Sequence, residues 1–234
     1  MCDTCGCNAT PIRTIPVGER LLAQNDDIAA HNRTHFAACD VTAVNLMGTP
    51  GAGKTALLEA TIIRGNLRIA VIEGDQATQR DSARITAAGA PVYQIETGTG
   101  CHLDAQQVHQ ALDALPLHSL DLLVIENVGN LVCPALFDLG EHRRIVVTSP
   151  PEGTDKPLKY PSMFRTADLI VLNKSDLLPH VPFDLDAWRR YVGQINSDAR
   201  VVLTSALTGS GLTEWLALLT TFAAHAPRTS EAAR

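Results

Sequence analysis

Apolar residues along the chain fall into seven short runs, separated by segments long enough to form helices. The runs, which lie between Val41 and Ser205, are VTAVNLM, RIAVIEG, VYQIE, LDLLVIENV, RIVVTS, ADLIVLN and ARVVLTS. Runs that are apolar on both faces and alternate with helical segments are typical of a mostly parallel sheet covered on both sides. We therefore predict an α/β fold in which helices flank a mostly parallel sheet.

The two ends of the chain do not follow this alternation. Residues 1–16 join a cysteine-rich start to a polar stretch with two prolines, which predicts a flexible metal-binding tail and tether. Residues 17–38 carry apolar positions at roughly helical spacing, which predicts a leading amphipathic helix. Residues 227–234 are polar and predict a disordered tail. The globular domain would then span residues 17–226.

Composition narrows the class of protein. The 234 residues correspond to one domain at the usual size of about 150 residues, and a chain that is 45% hydrophobic and 19% charged can bury a core. Nineteen Lys and Arg against 25 Asp and Glu give a net charge of −6. This balance argues against nucleic acid or an anionic membrane as a partner, because both require a cationic face.

Neither a membrane span nor a secretory signal is expected. No run reaches the roughly 18 apolar residues that a spanning helix needs. The amino terminus lacks the basic start and apolar stretch of a signal peptide. We therefore expect a cytoplasmic protein, whose six cysteines are thiols, metal ligands or core residues rather than structural disulfides.

A glycine-rich segment follows the first apolar run and precedes the helix-length segment ALLEATIIR. Residues 48–55 read GTPGAGKT and fit the pattern G-x-x-x-x-G-K-(S/T). Glycines let consecutive amides point at phosphates, and the N-terminus of the next helix adds its positive dipole. Lys54 would place a charge beside the β- and γ-phosphates, and the Thr55 hydroxyl can ligate Mg²⁺. The segment predicts a P-loop NTPase with nucleotide contacts from Gly48, Gly51, Ala52, Gly53, Lys54, Thr55 and Ala56.

The tetrapeptide NKSD at residues 173–176 predicts which base is bound, because it follows the run LIVL at an edge where ligands bind in such sheets. The Asp176 carboxylate can accept hydrogen bonds from the ring N–H and the exocyclic amine of guanine, donors that adenine lacks there. The Asn173 amide can meet the other edge of the base, and the Lys174 stem can lie over its face. GTP and GDP are therefore the predicted nucleotides. The guanine oxygen is expected to meet the small-residue pair Ser205 and Ala206.

Two acidic segments end the strands predicted beside the P-loop. Asp75 ends the second apolar run and could hold Mg²⁺ directly or through water. Glu126 begins ENVG, where GTPases commonly carry D-x-x-G, and the Gly129 amide could sense the γ-phosphate. Because glutamate replaces the usual aspartate, the sequence leaves the specific role of Glu126 open. The alternative for both Asp75 and Glu126 is a loop charge or a helix cap. Catalysis is assigned to Lys54, Thr55, Asp75 and Gly129.

Three of the six cysteines stand within the first seven residues. Cys2, Cys5 and Cys7, here called the tail cysteines, are close enough in sequence to bind one ion. Thiolates suit zinc, nickel, copper(I) or an iron–sulfur cluster, and removal of Met1 would add an amine that favours square-planar nickel or copper. The alternative is a reactive cluster without a metal. The spacing predicts a metal site and leaves its ion open.

Cys101, His102 and Cys133 form a second candidate set. Cys101 and His102 follow the glycine-rich TGTG, and Cys133 stands four residues after Gly129. Both segments fall in loops beyond strand ends, where they can approach one another, and their donors suit nickel or zinc. Three ligands leave a position for water or for a second copy of the chain. Spacing alone leaves a packing role equally open.

The other cysteine and two further histidines are predicted to have structural roles and not to bind a metal. Cys39 has no partner in the sequence and is predicted to pack in the core, since free cysteine is among the most buried residue types. His31 and His35 stand four residues apart in the leading helix and are predicted to lie on its solvated face.

Together these segments resemble the HypB family of hydrogenase nickel-incorporation GTPases. The resemblance covers nearly the whole chain and rests on CDTCGC, NLMGTPGAGKTALLE, VIEGDQATQRDSARI, QIETGTGCHLDA, ENVGNLVCP, PEGTDKPLKYPSMF and NKSD. It implies a dimerising P-loop GTPase that delivers nickel during assembly of nickel–iron hydrogenase. A partner nickel chaperone and the hydrogenase large subunit are the implied recipients.

The resemblance also implies roles for individual residues. The tail cysteines would be a tight nickel site, and the second set a weaker nickel or zinc site near the dimer interface. Lys156, in PEGTDKP, would serve nucleotide-dependent dimerisation. Many members carry a histidine-rich stretch that this chain lacks, so bulk nickel storage is not expected. The related urease GTPase carries Cys-Pro-His where this sequence reads TGTGCHLD, and is disfavoured.

The expected mechanism is a nucleotide-dependent switch. GTP and Mg²⁺ would draw Asp75 and Gly129 toward the γ-phosphate, so that metal affinity and dimerisation depend on nucleotide state. Intrinsic turnover should be slow, because the sequence offers no clear arginine finger or water-positioning glutamine. Two alternatives stay open. One is a small-molecule kinase, and the other is a metal sensor or store with a vestigial GTPase.

Overall fold

The computed structural model describes residues 17–75 and 80–224. Seven strands form one sheet in the order β3-β2-β4-β1-β5-β6-β7, and every neighbouring pair is parallel. The strands β1 to β7 cover Thr42–Gly48, Ile69–Asp75, Val92–Glu96, Leu122–Glu126, Arg143–Thr148, Leu169–Leu172 and Arg200–Leu203. Each of the seven apolar runs forms one strand, which confirms the predicted fold class.

Helices cover both faces of this sheet. The helices α1 to α8 cover Val17–Ala38, Lys54–Arg64, Arg80–Ala88, Ala105–Leu112, Lys156–Lys159, Pro161–Arg165, Leu185–Ile195 and Leu212–Ala224. On β1, Val44 and Leu46 pack in one core cluster with α2, α3 and α8. The alternate residue Ala43 packs with α1 and α4, and Met47 packs with α6 and α7. Alternation along a strand thus sends side chains into two separate layers.

The leading helix is α1, and its bounds agree with the prediction over 17–38. Buried amides fasten it to the start of α4. The Asn32 Nδ2 donates to the carbonyls of Ala105 and Leu139 at 2.9 and 3.0 Å, and the Asn25 Oδ1 accepts from the Ala105 amide at 2.9 Å. Such satisfied buried groups fix the relative position of the two helices.

Several predictions fall outside the described residues. These are the tail cysteines within residues 1–16 and the predicted tail at 227–234. Within the described ranges, no helix is both long and apolar enough to cross a membrane. Cys39 is buried in the core beside α1 and α4, as predicted, and burial raises the pKa of its thiol.

Candidate nucleotide and metal sites

A cavity of about 400 Å³ opens at the carboxyl ends of β1, β2 and β4. This is the edge at which ligands bind in open α/β sheets. The predicted residues that line it are Gly51, Gly53, Lys54, Thr55, Ala56, Asp75, Glu126 and Gly129. The topology therefore brings the P-loop and both predicted acidic segments to one concave site, whose dimensions suit a small ligand.

Glycine at position 53 is required by the geometry of the P-loop. Gly53 has a φ of 93°, in the left-handed region that glycine adopts without steric cost. A Cβ at this position would lie 2.6 Å from the Asn173 Nδ2, so a larger residue would displace the side chain of Asn173 in the NKSD segment. The helix α2 begins at the next residue, Lys54, and directs its amino terminus at the cavity.

The next two P-loop residues are buried and already hydrogen-bonded. The Lys54 Nζ donates to the carbonyls of Gly48 and Thr49 at 3.4 and 3.5 Å, and burial lowers the pKa of this lysine. The Thr55 Oγ1 donates to the Glu126 Oε1 at 2.8 Å. Both long lysine bonds run to neutral carbonyls, so an anionic phosphate would be a stronger partner for the Lys54 charge.

Glu126 shares the floor of the cavity with a second carboxylate, Glu73, which lies opposite it in the parallel register of β2 and β4. Both are buried, and the Oε2 atom of each has no hydrogen-bond partner among the described residues. Burial raises the pKa of Glu73 to about 8, and the neighbouring Glu126 charge adds to the shift. Burial likewise raises the pKa of Glu126 to about 7, against the opposing effect of Lys54. Unpaired carboxylate oxygens in a buried floor suit a hard cation.

The two remaining cavity predictions lie at strand ends. Asp75 is the last residue of β2 and lines the cavity. Gly129 packs on the P-loop, because a Cβ there would lie 2.8 Å from the Pro50 Cγ, and the next residue, Asn130, forms an isolated bridge with Gly48. The segment after β4 is therefore in direct contact with the phosphate-binding loop.

The NKSD segment is hydrogen-bonded to the P-loop. The Asn173 Nδ2 donates to the carbonyls of Ala52 and Gly53 at 3.2 and 3.3 Å. The Lys174 Nζ donates to the Gly51 carbonyl at 2.6 Å, and Lys174 itself adopts a left-handed backbone with a φ of 57°. These bonds hold the NKSD segment beside the P-loop.

The same segment also binds the loop after β7. The Asn173 Oδ1 accepts from the Ala206 amide at 3.2 Å and from the Thr204 hydroxyl at 3.2 Å. The Asp176 Oδ1 accepts from the Ser205 hydroxyl at 2.5 Å. The two segments predicted to contact guanine are thus hydrogen-bonded to each other, and the Asn173 amide is engaged by protein groups.

Lys156 lies outside the cavity but is linked to the P-loop through one carboxylate. Its Nζ is 3.6 Å from the Glu152 Oε2, and the same oxygen accepts from the Thr49 hydroxyl at 2.5 Å. Lys156 also lies over the Tyr160 ring, 4.9 Å from its centroid. Glu152 is held by the Ser149 hydroxyl at 3.0 Å. A change at Thr49 can therefore reach Lys156 through Glu152.

The second cysteine and histidine set converges as the sequence suggested. Of the described residues, Cys101, His102 and Cys133 are the group whose ligand atoms all lie within 4.8 Å of one another; we call it the domain metal site. The Cys101 and Cys133 sulfurs are 2.9 Å apart, and the Cys101 sulfur is 3.6 Å from the His102 Nδ1. The His102 ring stacks on Phe137 with centroids 3.9 Å apart. This geometry places three potential ligands close enough together to hold one ion.

The chemistry of these donors suits nickel or zinc. Burial lowers the pKa of His102, which favours the neutral imidazole that binds metals. The hydrogen bond from Cys101 raises the pKa of the Cys133 thiol, and a bound ion would reverse that effect by removing the proton. All three residues are half-buried, so an ion can enter from solvent.

Sequence reasoning missed Glu73, as well as Asp81 and Arg84 of α3, which also line the cavity. The sequence does contain a signal for Glu73, which is a charged residue inside the apolar run RIAVIEG. Burial of a carboxylate in a strand is costly unless the group is protonated, paired or bound to a metal. No local pattern marks Asp81 or Arg84, because they belong to an ordinary polar helix.

Comparisons with known proteins agree with this geometry. Residues 42–203 match the family model described as "CobW/HypB/UreG, nucleotide-binding domain". Hydrogenase maturation factor HypB of Azotobacter chroococcum mcd 1 is 51% identical over 207 residues, covering 88% of this chain and 68% of that protein. The crystal structure of HypB from Helicobacter pylori in complex with nickel is similar with a TM-score of 0.84 and 34% identity, over 90% of this chain and all of that one. HypB from Archaeoglobus fulgidus gives 0.81 and 40% identity, over 86% of this chain and 100% of that one.

Proposed function

The chain belongs to the CobW/HypB/UreG family, in its HypB branch, and we propose that it is a GTP-hydrolysing nickel metallochaperone that serves the maturation of nickel–iron hydrogenase. One observation carries this proposal. The segment from Glu126 to Cys133 lines the nucleotide cavity at its start and supplies a ligand of the domain metal site at its end. A segment of eight residues, 126–133, thus reaches from one site to the other. A protein that couples nucleotide state to metal release requires such a connection.

The nucleotide part of the proposal is a GTPase. P-loop amides and Lys54 bind the phosphates, and Asp176 selects guanine over adenine. Thr55, Asp75 and Glu126 would hold Mg²⁺, and the buried Glu126 Oε2, which has no hydrogen-bond partner within residues 17–75 and 80–224, provides a fitting oxygen donor. When bound, the ion offsets the charge that develops between the phosphates. Gly129, packed on Pro50, senses whether a γ-phosphate is present.

Nickel is the cargo of the reaction rather than a resident cofactor. Cys101, His102 and Cys133 take up nickel, with zinc as the competing ion, and the open fourth position is completed by water or by the second protomer of a homodimer. Movement of the segment after Glu126 then changes the distances among these ligands. The tail cysteines would hold nickel more tightly and pass it to the domain.

Dimerisation and delivery follow from the same arrangement. Lys156, linked to the P-loop through Glu152, would report nucleotide state to the dimer interface. Hydrolysis releases nickel to a partner chaperone or to the hydrogenase large subunit. Slow intrinsic turnover suits this role, because premature hydrolysis would release nickel without a recipient.

The test is phosphate release by the purified full chain with Mg²⁺ and either GTP or ATP. We expect inorganic phosphate from GTP alone, at well below about 10 per second, a rate typical of metabolic enzymes. Radiolabelled nucleotide with a cell extract distinguishes the kinase alternative. A labelled small molecule in place of free phosphate would contradict the proposal.

A further inference from the structure

Three histidines outside the domain metal site meet on the surface formed by α1 and α4. The ring centroids of His31 and His109 are 5.1 Å apart, and those of His35 and His109 are 6.4 Å apart. His31 and His35 are four residues apart and therefore lie one turn apart on the same face of α1. His109 faces them from α4. We call these three residues the histidine cluster. On the helix face that the sequence predicted to be solvated, His31 and His35 thus contact a third imidazole, that of His109.

One nitrogen of His109 is fixed by a fully buried amide. The Asn32 Nδ2 donates both of its hydrogens, one to the Ala105 carbonyl and one to the Leu139 carbonyl, which identifies its other atom as the oxygen. That Oδ1 is 3.1 Å from the His109 Nδ1. An amide oxygen only accepts, so the His109 Nδ1 must carry the hydrogen. In the neutral ring the Nε2 then holds a free lone pair.

This arrangement is the one that prepares an imidazole for metal binding. Histidine ligands generally donate their second ring N–H to an oxygen, which fixes the tautomer, orients the ring and makes the ligating nitrogen more basic. Asn32 is held on both sides by backbone carbonyls, so it cannot turn away from His109. Among the described residues no hydrogen bond is recorded for the His109 Nε2, and its ring lies beside two further imidazoles.

We propose that the histidine cluster binds a first-row divalent metal ion of the nickel and zinc class through the His109 Nε2 and the rings of His31 and His35. Two histidines four apart on one helix face are a recurrent metal-binding pair, and imidazole nitrogen suits nickel, zinc and copper. His109 supplies the fixed ligand. His31 is exposed and His35 half-buried, so both rings can rotate to meet an ion.

The position of the cluster connects it to the domain metal site without making it part of that site. The helix α4 begins at Ala105 after an Asp104 N-cap with a complete capping box. His102 precedes this cap by two residues, and His109 lies in the following turns of the same helix. The inference rests on the α1 and α4 packing alone and does not require the proposed function.

The experiment is equilibrium dialysis of the full chain against Ni²⁺, with nickel counted per chain. The double variant His31→Gln and His35→Gln removes the mobile ligands, and His109→Gln separately removes the fixed one. The matched control is His118→Gln, an exposed histidine outside the cluster. Absorption by thiolate-to-nickel charge transfer is recorded in parallel, because it reports the cysteine sites and not an imidazole site.

We expect the double variant and His109→Gln each to bind one nickel equivalent fewer than the wild type, with unchanged charge-transfer absorption. His118→Gln should match the wild type. His109→Gln loses the contact with Asn32 and could fail to fold. The double variant keeps that contact, so it still tests the proposal in that case. Equal stoichiometry in the wild type and the double variant would overturn the proposal. Loss of the same equivalent in His118→Gln would overturn it too, because uptake would then be nonspecific.

Discussion

The backbone amide of Leu103 donates a buried hydrogen bond to the Asn127 Oδ1 at 3.0 Å. Leu103 directly follows His102, and Asn127 directly follows Glu126, so this bond joins the metal-binding loop to the floor of the nucleotide cavity. The Leu103 side chain also fills the space at Gly74 on β2, where a Cβ would lie 2.8 Å from the Leu103 Cγ. We therefore expect movement at the phosphates to displace the loop that carries His102, and linkage would then require metal binding to act back on the nucleotide.

Replacement of Lys54 by Ala should reduce GTP hydrolysis by at least about 100-fold, because a buried charge aimed at developing phosphate charge is lost. Single-turnover phosphate release measures the effect. Lys159→Ala is the matched control, since this exposed lysine pairs with Asp155, the residue that directly precedes α5, and does not line the cavity. Hydrolysis by Lys54→Ala at the wild-type rate would contradict the assignment.

Replacement of Asp176 by Asn should weaken GDP binding by about 100-fold, because guanine loses the acceptor for two of its donors. Displacement of a fluorescent GDP analogue measures the affinity. Ser205→Ala removes only the hydroxyl that orients this carboxylate, and about a tenfold loss is expected. Unchanged discrimination between GDP and ADP in Asp176→Asn would rule out this carboxylate as the base selector.

Glu73 should make the nucleotide-free protein less stable as pH rises. Its pKa is raised from an ordinary 4.5 to about 8, so the folded state holds a proton that the unfolded state releases. Its stabilising contribution is complete below about pH 4.5 and is lost progressively up to about pH 8, by at most about 1.4 kcal/mol per pH unit. Glu73→Gln should remove this contribution and leave only the part that arises from Glu126, whose pKa is raised to about 7. Urea unfolding of both chains at pH 5, 6.5 and 8, chosen as about evenly spaced points in this window, measures it. Parallel pH profiles would show that Glu73 is not buried as a proton-binding group.

Lys156→Ala should weaken dimerisation driven by a GTP analogue by about tenfold or more, the equivalent of about 1.4 kcal/mol. The reason is the chain of contacts from Thr49 through Glu152 to Lys156, in which phosphate binding at the P-loop disturbs the ion pair. Sedimentation with and without the analogue measures association. Dimerisation in Lys159→Ala should be unchanged, and an equal effect in both variants would point to general charge rather than to this contact.

Much of the fold could be predicted because the determining signals are local. A parallel sheet buried on both faces forces each strand to be apolar throughout, so each run is visible without knowledge of its neighbours. The GTPGAGKT segment is equally local, since the turn, the anion-binding amides and the lysine are all contained in residues 48–55.

The features that the sequence did not predict depend on which strands and helices pack beside each other. Glu73 gains its significance from its register partner Glu126, which is fixed only when β2 and β4 pair. His109 approaches His31 only because α4 packs on α1, about 78 residues away in sequence. The approach of Cys101 to Cys133 likewise depends on how two separate loops assemble, so the spacing in the sequence could not predict it.

The most direct measurement of coupling is nickel affinity of the domain metal site with GDP, with a non-hydrolysable GTP analogue and with no nucleotide. Replacement of the tail cysteines by serine and of His31 and His35 by Gln removes the other proposed nickel ligands from the full chain, and Cys101→Ala identifies the signal of the domain metal site. We expect at least about a fivefold difference in affinity between nucleotide states, the lower range of allosteric coupling, and a ratio near one in Asn127→Ala. The same nickel affinity in all three states of the wild-type domain would contradict coupling between the two sites.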